Sequence, residues 1–162
     1  MTAAGLHRID PLFTEARGTR GYDDLAIDPG THTGWAVFNE DGALKACGIG
    51  EPPFPSPYRR VVIELPQVYP TSPVPPNDLV TLAFLAGRYA GAAAGAEVFT
   101  VFPHTWKGNL SKAVCAARVK ERLSREERVV VEKCLVQVPE KQRHNVWDAI
   151  GIGLFAFRQV KV

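Results

Sequence analysis

Short apolar runs bounded by Pro, Gly, Asn and Asp recur along the first hundred residues, a pattern that predicts β-strands. The predicted strands are residues 25–28, 34–38, 43–49, 61–65 and 97–102. Residues 39–42 have the composition of a hairpin turn, so the first three strands are expected to follow one another antiparallel. Residues 61–65 (VVIEL) are almost continuously apolar, which is typical of strands covered on both faces.

Apolar residues at helical spacing predict helices over residues 77–94, 112–123, 125–135 and 145–159. Asn77 and Ser111 are the expected N-caps of the first two helices. The consecutive valines at 129–131 leave a strand open as the alternative for the third helix. Gly151 and Gly153 each destabilise a helix interior by about 1 kcal/mol relative to Ala, which indicates that the last helix passes close to the sheet.

The order of these elements predicts one α/β domain, in which a mixed sheet begins as a meander and is then covered by helices. Residues 1–23 have little apolar periodicity and are interpreted as a flexible N-terminal arm, so that the domain proper spans residues 24–162. Five prolines between positions 66 and 76 exclude a helix or a central strand there and predict a semi-rigid loop.

Composition narrows the class of protein further. The chain has 162 residues, of which 46% are hydrophobic and 22% charged, as in ordinary globular domains. No apolar run reaches the roughly 18 residues of a membrane span, and the N-terminus has no apolar signal segment, so we expect a cytoplasmic protein. Cys47, Cys115 and Cys134 are too few and too far apart for a disulfide framework or a CxxC metal site, and are interpreted as buried small apolar side chains.

The basic charge of the chain is concentrated in one segment. Residues 101–143 carry ten Lys and Arg against five Asp and Glu, whereas residues 1–100 carry seven against eleven. A segment with this excess can follow a polyphosphate backbone. A solvated helix face with Glu–Arg pairs has the same composition, so charge alone leaves both interpretations open.

Three acidic residues stand near the ends of predicted elements. Asp28 follows a buried strand, Glu64 lies inside an apolar strand, and Asp148 lies near the start of the last helix. Each has an ordinary explanation, namely an Asx turn, an outward-facing strand position and stabilisation of the helix dipole. If the three converge, however, their carboxylates repel one another unless cations lie between them, and Mg²⁺ is the natural occupant. Two such ions about 4 Å apart activate a water and stabilise the leaving oxygen of a phosphodiester.

Four stretches of the sequence resemble the RuvC-like Holliday junction resolvases of the RNase H-like superfamily, in particular their compact phage versions. They are LAIDPGTHTGWAVF (25–38), VVIELP (61–66), VFPHTWKGNLSKAV (101–114) and HNVWDAIGIG (144–153). The resemblance covers most of residues 24–160 in the expected order. It implies a mixed five-stranded sheet, with three antiparallel strands followed by parallel additions and with helices on both faces.

The resemblance also implies a catalytic centre with two Mg²⁺ ions, for which Mn²⁺ is a substitute. Asp28 corresponds to the ligand that bridges both ions, and Glu64 and Asp148 to the second and the helix-borne ligand. The family usually has an acid or a His three residues before the helix Asp. Asn145 stands at that position here and offers a carbonyl oxygen, and the adjacent His144 is the alternative ligand or proton shuttle.

Further residues are implied to contact DNA. Lys107 matches the family's basic residue after the last strand and Lys112 begins the next helix, so both are expected at phosphates. Tyr69 follows Glu64 in the Pro-rich loop, where resolvases carry an aromatic that wedges into the junction, although ordinary packing also explains such a tyrosine. Trp106 is interpreted as a core or rim aromatic rather than a base-stacking platform.

The sequence therefore predicts a crossover junction endodeoxyribonuclease, a Mg²⁺-dependent hydrolase that cuts branched DNA as a homodimer. Its expected place is the cytoplasm of a bacterial or phage-infected cell, at the nucleoid. One alternative is a YqgF-like RNA-processing nuclease, whose first strand has a similar DPGT motif, and another is a catalytically silent nucleic-acid binding module. An actin-like kinase lobe is disfavoured because that fold needs two lobes and a much longer chain.

Overall fold

The secondary structure follows the predicted order of strands and helices. The computed structural model describes residues 5–9, 23–54, 57–68, 74–93 and 95–162. Within these ranges the strands are β1 (His7–Ile9), β2 (Asp23–Asp28), β3 (Gly34–Phe38), β4 (Leu44–Ile49), β5 (Tyr58–Glu64) and β6 (Glu97–Val101). The helices are α1 (Pro76–Ala92), α2 (Pro103–Trp106), α3 (Lys112–Arg122), α4 (Arg125–Leu135) and α5 (Arg143–Arg158), with a 3-10 turn at Glu140–Gln142. In this part of the chain no helix is long and apolar enough to cross a membrane.

The strands form one mixed sheet in the order β1-β6-β5-β2-β3-β4. β2, β3 and β4 are antiparallel, whereas β5 is parallel to β2 and β6 is parallel to β5. This confirms the RNase H-like arrangement of a three-stranded meander with parallel additions.

The sheet has one strand more than the five predicted. His7–Ile9, inside the segment interpreted as an arm, pairs antiparallel with β6. Residues 1–4 and 10–22 of that segment lie outside the described residues, so the arm and the domain boundary stay predictions.

Helices cover both faces of the sheet, as predicted. Leu25 and Ile27 of β2 pack with Tyr89 of α1 on one face. Ala26 lies between them in the strand and belongs to a larger cluster with residues of α3, α4 and α5, including Ile152. Successive side chains of a strand point to opposite faces, so the alternation in β2 separates two cores.

The two glycines of α5 allow the close approach that the sequence predicts. A Cβ atom added at Gly153 would collide with the ring of Phe38 in β3, and one added at Gly151 would collide with the ring of Trp106. Neither position has room for a side chain unless these rings move. The second contact places the Trp106 indole directly against α5.

The predicted N-cap of α1 is wrong, and that of α3 is confirmed. α1 begins at Pro76 after Pro75, and no side chain caps it, so Asn77 lies inside the helix. Pro is favoured at the first helical position because its ring fixes φ and its missing N–H would lack a helical partner there. The hydroxyl of Ser111 accepts a hydrogen bond from the backbone N–H of Val114 at the start of α3.

The structure decides between helix and strand for α4 and moves the predicted start of α5. α4 is a helix rather than a strand, and Ser124 and Glu127 form a reciprocal capping box at its start. α5 begins at Arg143, earlier than the predicted Asn145, because the preceding 3-10 turn leads directly into it. Asp148 consequently lies in the second turn of α5 and not in the first.

All three cysteines are free thiols. Cys47 and Cys115 are buried, which confirms the interpretation for these two, and Cys134 is half-buried.

Candidate active site

Asp28, Glu64 and Asp148 come together at one end of the sheet. β2 and β5 are parallel, with Ile27 opposite Ile63. The next residues of the two strands, Asp28 and Glu64, therefore lie side by side at the end of the sheet. α5 packs against β2 and brings Asp148 to the same place, where the negative charges of both other acids raise the pKa of Asp28. The structure thus brings the three predicted acids together.

The turn after β2 leaves the carboxylate of Asp28 unengaged. Thr33 closes this turn, since its hydroxyl donates to the carbonyl of Gly30 at 3.0 Å. Among the described residues Asp28 has no hydrogen bond or ion pair, so it is not the capping residue of an Asx turn. Burial, followed by the charges of Glu64 and Asp148, raises the pKa of Asp28 well above its ordinary value.

Glu64 ends β5 with only 12% of its side chain exposed, so it is not an outward-facing strand residue. The indole N–H of Trp106 donates to its Oε2 at 2.6 Å, and the ammonium of Lys107 lies 3.9 Å from the same oxygen. Burial raises the pKa of Glu64 to about 7, although both neighbours act to lower it. The carboxylate of Glu64 is therefore held in a fixed direction in a largely enclosed place.

Asp148 lies in the second turn of α5 with 9% of its side chain exposed. Its Oδ2 accepts a hydrogen bond from Lys107 at 3.0 Å, and its Oδ1 accepts one from the thiol of Cys115 at 3.8 Å. Burial, followed by the charge of Asp148, raises the pKa of Cys115 to about 12, so this thiol stays protonated. The helix dipole acts mainly within the first turn and does not account for an acid here.

Lys107, directly after α2, carries the positive charge that acts on all three acids. Its Nζ is bonded to Asp148 and interacts electrostatically with Glu64 and Asp28. Burial opposes the charge on Lys107, but the carboxylates outweigh this effect and raise its pKa above the ordinary value. The Nζ atom also lies 4.7 Å from the centre of the Trp106 ring, a cation–π distance.

The acids of this site differ from two other buried acids in how their charge is balanced. Asp24 is fully buried and accepts hydrogen bonds from both Arg59 and Arg60. Glu127 is paired with Arg158. Among the described residues, Glu64 and Asp148 share the ammonium of Lys107 within 4 Å, and Asp28 has no ion pair. The site is therefore short of positive charge, whereas the structural acids are neutralised.

The donor set suits a hard divalent cation, because Mg²⁺ prefers carboxylate oxygens. As the side chains stand, no three His, Cys, Asp or Glu residues in the described ranges are close enough together to hold a metal ion. The ammonium of Lys107 lies 3.9 Å from Glu64 and 3.0 Å from Asp148, where a cation shared by these acids would be expected. The residue types present suit Mg²⁺, but to hold it Lys107 would have to move aside and the acid side chains would have to turn toward one another.

Asn145, the predicted fourth ligand, lies in the first turn of α5, one turn before Asp148. Its backbone carbonyl is packed against Gly34 of β3, which leaves no room there for a Cβ. Neither Asn145 nor the neighbouring His144 has a side-chain hydrogen bond within the described part of the chain. Both remain candidates, and nothing in the contacts favours His144.

Of the two other predicted DNA contacts, Lys112 and Tyr69, the structure describes only Lys112. Lys112 is exposed at the start of α3, and its charge acts to lower the pKa of Asp28, so it is close to the acids. Tyr69 lies outside the described residues, and its role as a wedge stays a prediction.

Sequence reasoning missed two groups that touch the acids. Trp106 is 1% exposed, as expected of a core aromatic, but it also donates its N–H to Glu64. A buried indole usually needs a partner for this N–H, and that need was the available signal. No feature of the sequence pointed to the contact between Cys115 and Asp148.

No protein-family model matches the chain, and no curated protein is similar to it in sequence. The structure is similar to that of Thermus thermophilus RuvC in complex with a Holliday junction substrate, with 18% identity, coverage of 85% of this chain and 94% of that chain, and a TM-score of 0.45. Another Thermus thermophilus RuvC structure has 18% identity, coverage of 85% and 95%, and a TM-score of 0.36.

Proposed function

We propose that the chain is a Mg²⁺-dependent endonuclease that hydrolyses phosphodiester bonds in branched DNA, four-way junctions above all. The observation that carries this proposal is the charge deficit of the acid cluster, in which Asp28, Glu64 and Asp148 converge on the ammonium of Lys107. Two divalent cations correct this deficit, and when bound they supply an activated water and stabilise the leaving oxygen.

The ligand roles follow from the surroundings of each acid. Asp28 experiences the charges of both Glu64 and Asp148, so it would be the acid best placed to serve as a ligand of both ions. Glu64 and Asp148 would be the further carboxylate ligands, and Asn145 would add a side-chain carbonyl oxygen from the preceding turn of α5. Mn²⁺ also accepts carboxylate and carbonyl oxygens and substitutes for Mg²⁺.

Lys107 has two successive partners in this proposal. In the structure its ammonium neutralises Glu64 and Asp148. With metal ions bound to these acids, the long side chain of Lys107 would be free to bind an oxygen of the scissile phosphate. Lys112 is exposed at the start of α3, and we expect it to bind a neighbouring phosphate of the DNA.

The exposed side of α3 supports a nucleic-acid partner. Lys112, Arg118 and Arg122 are exposed there, whereas Lys120, two positions after Arg118, is exposed on the opposite side of the helix. None of them has an ion pair with a described residue, so a face of Glu–Arg pairs does not explain the basic composition of this helix. The preference for four-way junctions over other nucleic acids rests on the sequence resemblance.

We also propose a homodimer, because paired cuts in a symmetric junction need two sites. Val80 and Phe84 of α1, one helical turn apart, are 68% and 75% exposed and form an apolar surface opposite the core-facing Ala86 and Tyr89. A second copy of the chain would bury this surface. Phe84→Glu should give a monomer in sedimentation velocity, and a dimer of wild-type stability would contradict this interface.

A cleavage assay tests the function against its alternatives. A labelled four-way junction, a linear duplex and an RNA/DNA hybrid are each incubated with Mg²⁺ and with chelator. We expect Mg²⁺-dependent cleavage of the junction in preference to the other substrates. Preferential cleavage of the hybrid would favour an RNA-processing nuclease, and tight junction binding without cleavage in Mg²⁺ would favour a silent binding module.

A further inference from the structure

A pocket of about 240 Å³ adjoins the acid cluster at Lys107. It is lined by α2 and the turn that follows, by Arg118 of α3, and by Lys161 and Val162 after the end of α5. None of the residues that line it is acidic. Basic side chains from segments far apart in the sequence therefore meet in one concavity beside the candidate active site.

The two outer cations of this pocket lack partners. Arg118 and Lys161 are exposed and have no ion pair or hydrogen bond with a described residue. By contrast, Arg59, Arg60 and Arg158 are each paired with a carboxylate. Unpaired charges of one sign in a cleft focus the electric field and raise the local concentration of counter-ions. The pocket is therefore suited to an anion.

The size and position of the pocket indicate which kind of anion it can bind. A volume of about 240 Å³ lies below the roughly 300–1,000 Å³ of small-molecule sites. Lys107 lines the pocket and also contacts the acids, so a phosphate in the pocket and one at the acids are within reach of one side chain. Consecutive phosphates of one strand follow one another about every 3.4 Å along the helix axis, so neighbouring nucleotides supply such a pair.

We propose that this pocket binds a backbone phosphate of the cleaved DNA strand, adjacent to the scissile phosphate, through Arg118 and Lys161. The proposal rests on the proposed function. Arg118 offers the planar fork that binds phosphate oxygens in pairs, and Lys161 adds a point charge. The pocket sets the position of the strand relative to the acids.

The test measures DNA binding without cleavage. Fluorescence anisotropy of a labelled four-way junction is recorded in EDTA over a series of salt concentrations for wild type, for Arg118→Ala with Lys161→Ala, and for Lys120→Ala. Lys120 is an exposed basic residue of the same helix that does not line the pocket. The double variant should bind more weakly, and its log–log salt slope should flatten by about one unit for each lost phosphate contact.

The outcomes separate this pocket from the proposed function. A wild-type slope in the double variant, or an equal flattening in Lys120→Ala, would overturn the pocket and leave the nuclease intact. A flattened slope in the double variant alone supports the pocket even if the protein cuts no DNA. Inorganic phosphate is titrated in parallel by calorimetry. Micromolar binding of phosphate that needs Arg118 and Lys161, with a wild-type DNA slope, would assign the pocket to free phosphate and overturn the proposal.

Discussion

The indole N–H of Trp106 is hydrogen-bonded to Oε2 of Glu64 at 2.6 Å, from a ring that is only 1% exposed. Lys107 follows Trp106 in the chain and approaches the same oxygen at 3.9 Å. The indole is thus a fixed donor, whereas the lysine is a flexible one. We infer that Trp106 positions the carboxylate of Glu64 whether or not Lys107 stays in place.

Trp106→Phe should weaken Mg²⁺ binding while leaving junction binding in EDTA unchanged. The substitution keeps an aromatic ring in the core but removes the N–H that orients Glu64. Groups that orient a metal ligand typically change metal affinity by about 10–100-fold when they are removed. Calorimetric titration with Mg²⁺ measures the effect directly.

Trp35→Phe is the matched control for this variant. The indole N–H of Trp35 is buried and has no hydrogen-bond partner among the described residues, so the same substitution removes ring area there without removing a bond. We expect wild-type Mg²⁺ affinity in this control. Equal losses in the two variants would show that general destabilisation, and not the bond to Glu64, causes the effect.

Asp28→Asn should abolish cleavage and at the same time leave the metal-free protein as stable as wild type or more so. The carboxylate of Asp28 has no hydrogen bond or ion pair in the described structure, and burial, followed by the charges of Glu64 and Asp148, raises its pKa. The neutral amide of Asn avoids the cost of holding a carboxylate in this half-buried position beside two other acids, a common trade of stability for function at active sites. Cleavage assays and urea denaturation in EDTA measure the two effects.

Asp24→Asn provides the contrast, because Asp24 is fully buried and bonded to Arg59 and Arg60. Breaking a buried ion pair by removing one partner destabilises a protein by about 3–5 kcal/mol. A cleavage rate near that of wild type in Asp28→Asn would mean that the proposed metal centre is wrong. A loss of stability in Asp28→Asn comparable to that in Asp24→Asn would make Asp28 a structural residue.

The stability of the metal-free protein should fall as pH rises from about 4.5 to about 7. The pKa of Glu64 is raised from 4.5 to about 7 in the folded chain, so the folded state binds more protons than the unfolded state in this interval. Folding is then favoured at the lower pH and loses stability until the pH passes the folded-state value. Burial of Asp28 acts in the same direction.

Urea denaturation in EDTA between pH 5 and pH 8 measures this dependence. Glu64→Gln should flatten it, because the amide does not titrate. Burial raises the pKa of Glu127, but its hydrogen bonds, that to Arg158 first, together outweigh this effect, so the pKa is lowered. Glu127 therefore costs the protein stability only below pH 4.5, outside the range of pH 5 to pH 8 that is measured. A wild-type slope in Glu64→Gln would assign the pH dependence to another group.

The ends of the strands could be predicted from the sequence, and this is why the sequence also predicted where the strand acids lie. Asp28 ends one short apolar run and Glu64 lies one residue from the end of another, and the parallel pairing of the two strands then places them side by side. The strand His7–Ile9 could not be predicted, because it is short, exposed and paired with a strand about ninety positions away. The bond from Trp106 to Glu64 depends on how α2 packs against Gly151, a contact between segments that no local pattern encodes.

Gly151→Ala should disturb the candidate active site through Trp106. An added Cβ at Gly151 collides with the indole ring, whereas one added at Gly87 of α1 meets nothing within 4 Å. Overpacking typically destabilises a core by about 1–3 kcal/mol, while Ala is favoured over Gly in an open helix position by up to about 1 kcal/mol. Gly151→Ala should therefore lower the urea midpoint and weaken Mg²⁺ binding, and Gly87→Ala should do neither.

A double-mutant cycle identifies the route of this effect. Phe is smaller than Trp, so Trp106→Phe makes room for the methyl group, and the pair of substitutions should destabilise the protein less than the sum of the two. Residues in contact typically show coupling of about 0.5–3 kcal/mol. Because the double variant still lacks the indole N–H, its Mg²⁺ affinity should remain as low as that of Trp106→Phe alone. Additive losses of stability would show that Gly151 acts on the helix itself, and a recovered Mg²⁺ affinity would show that the indole N–H does not position Glu64.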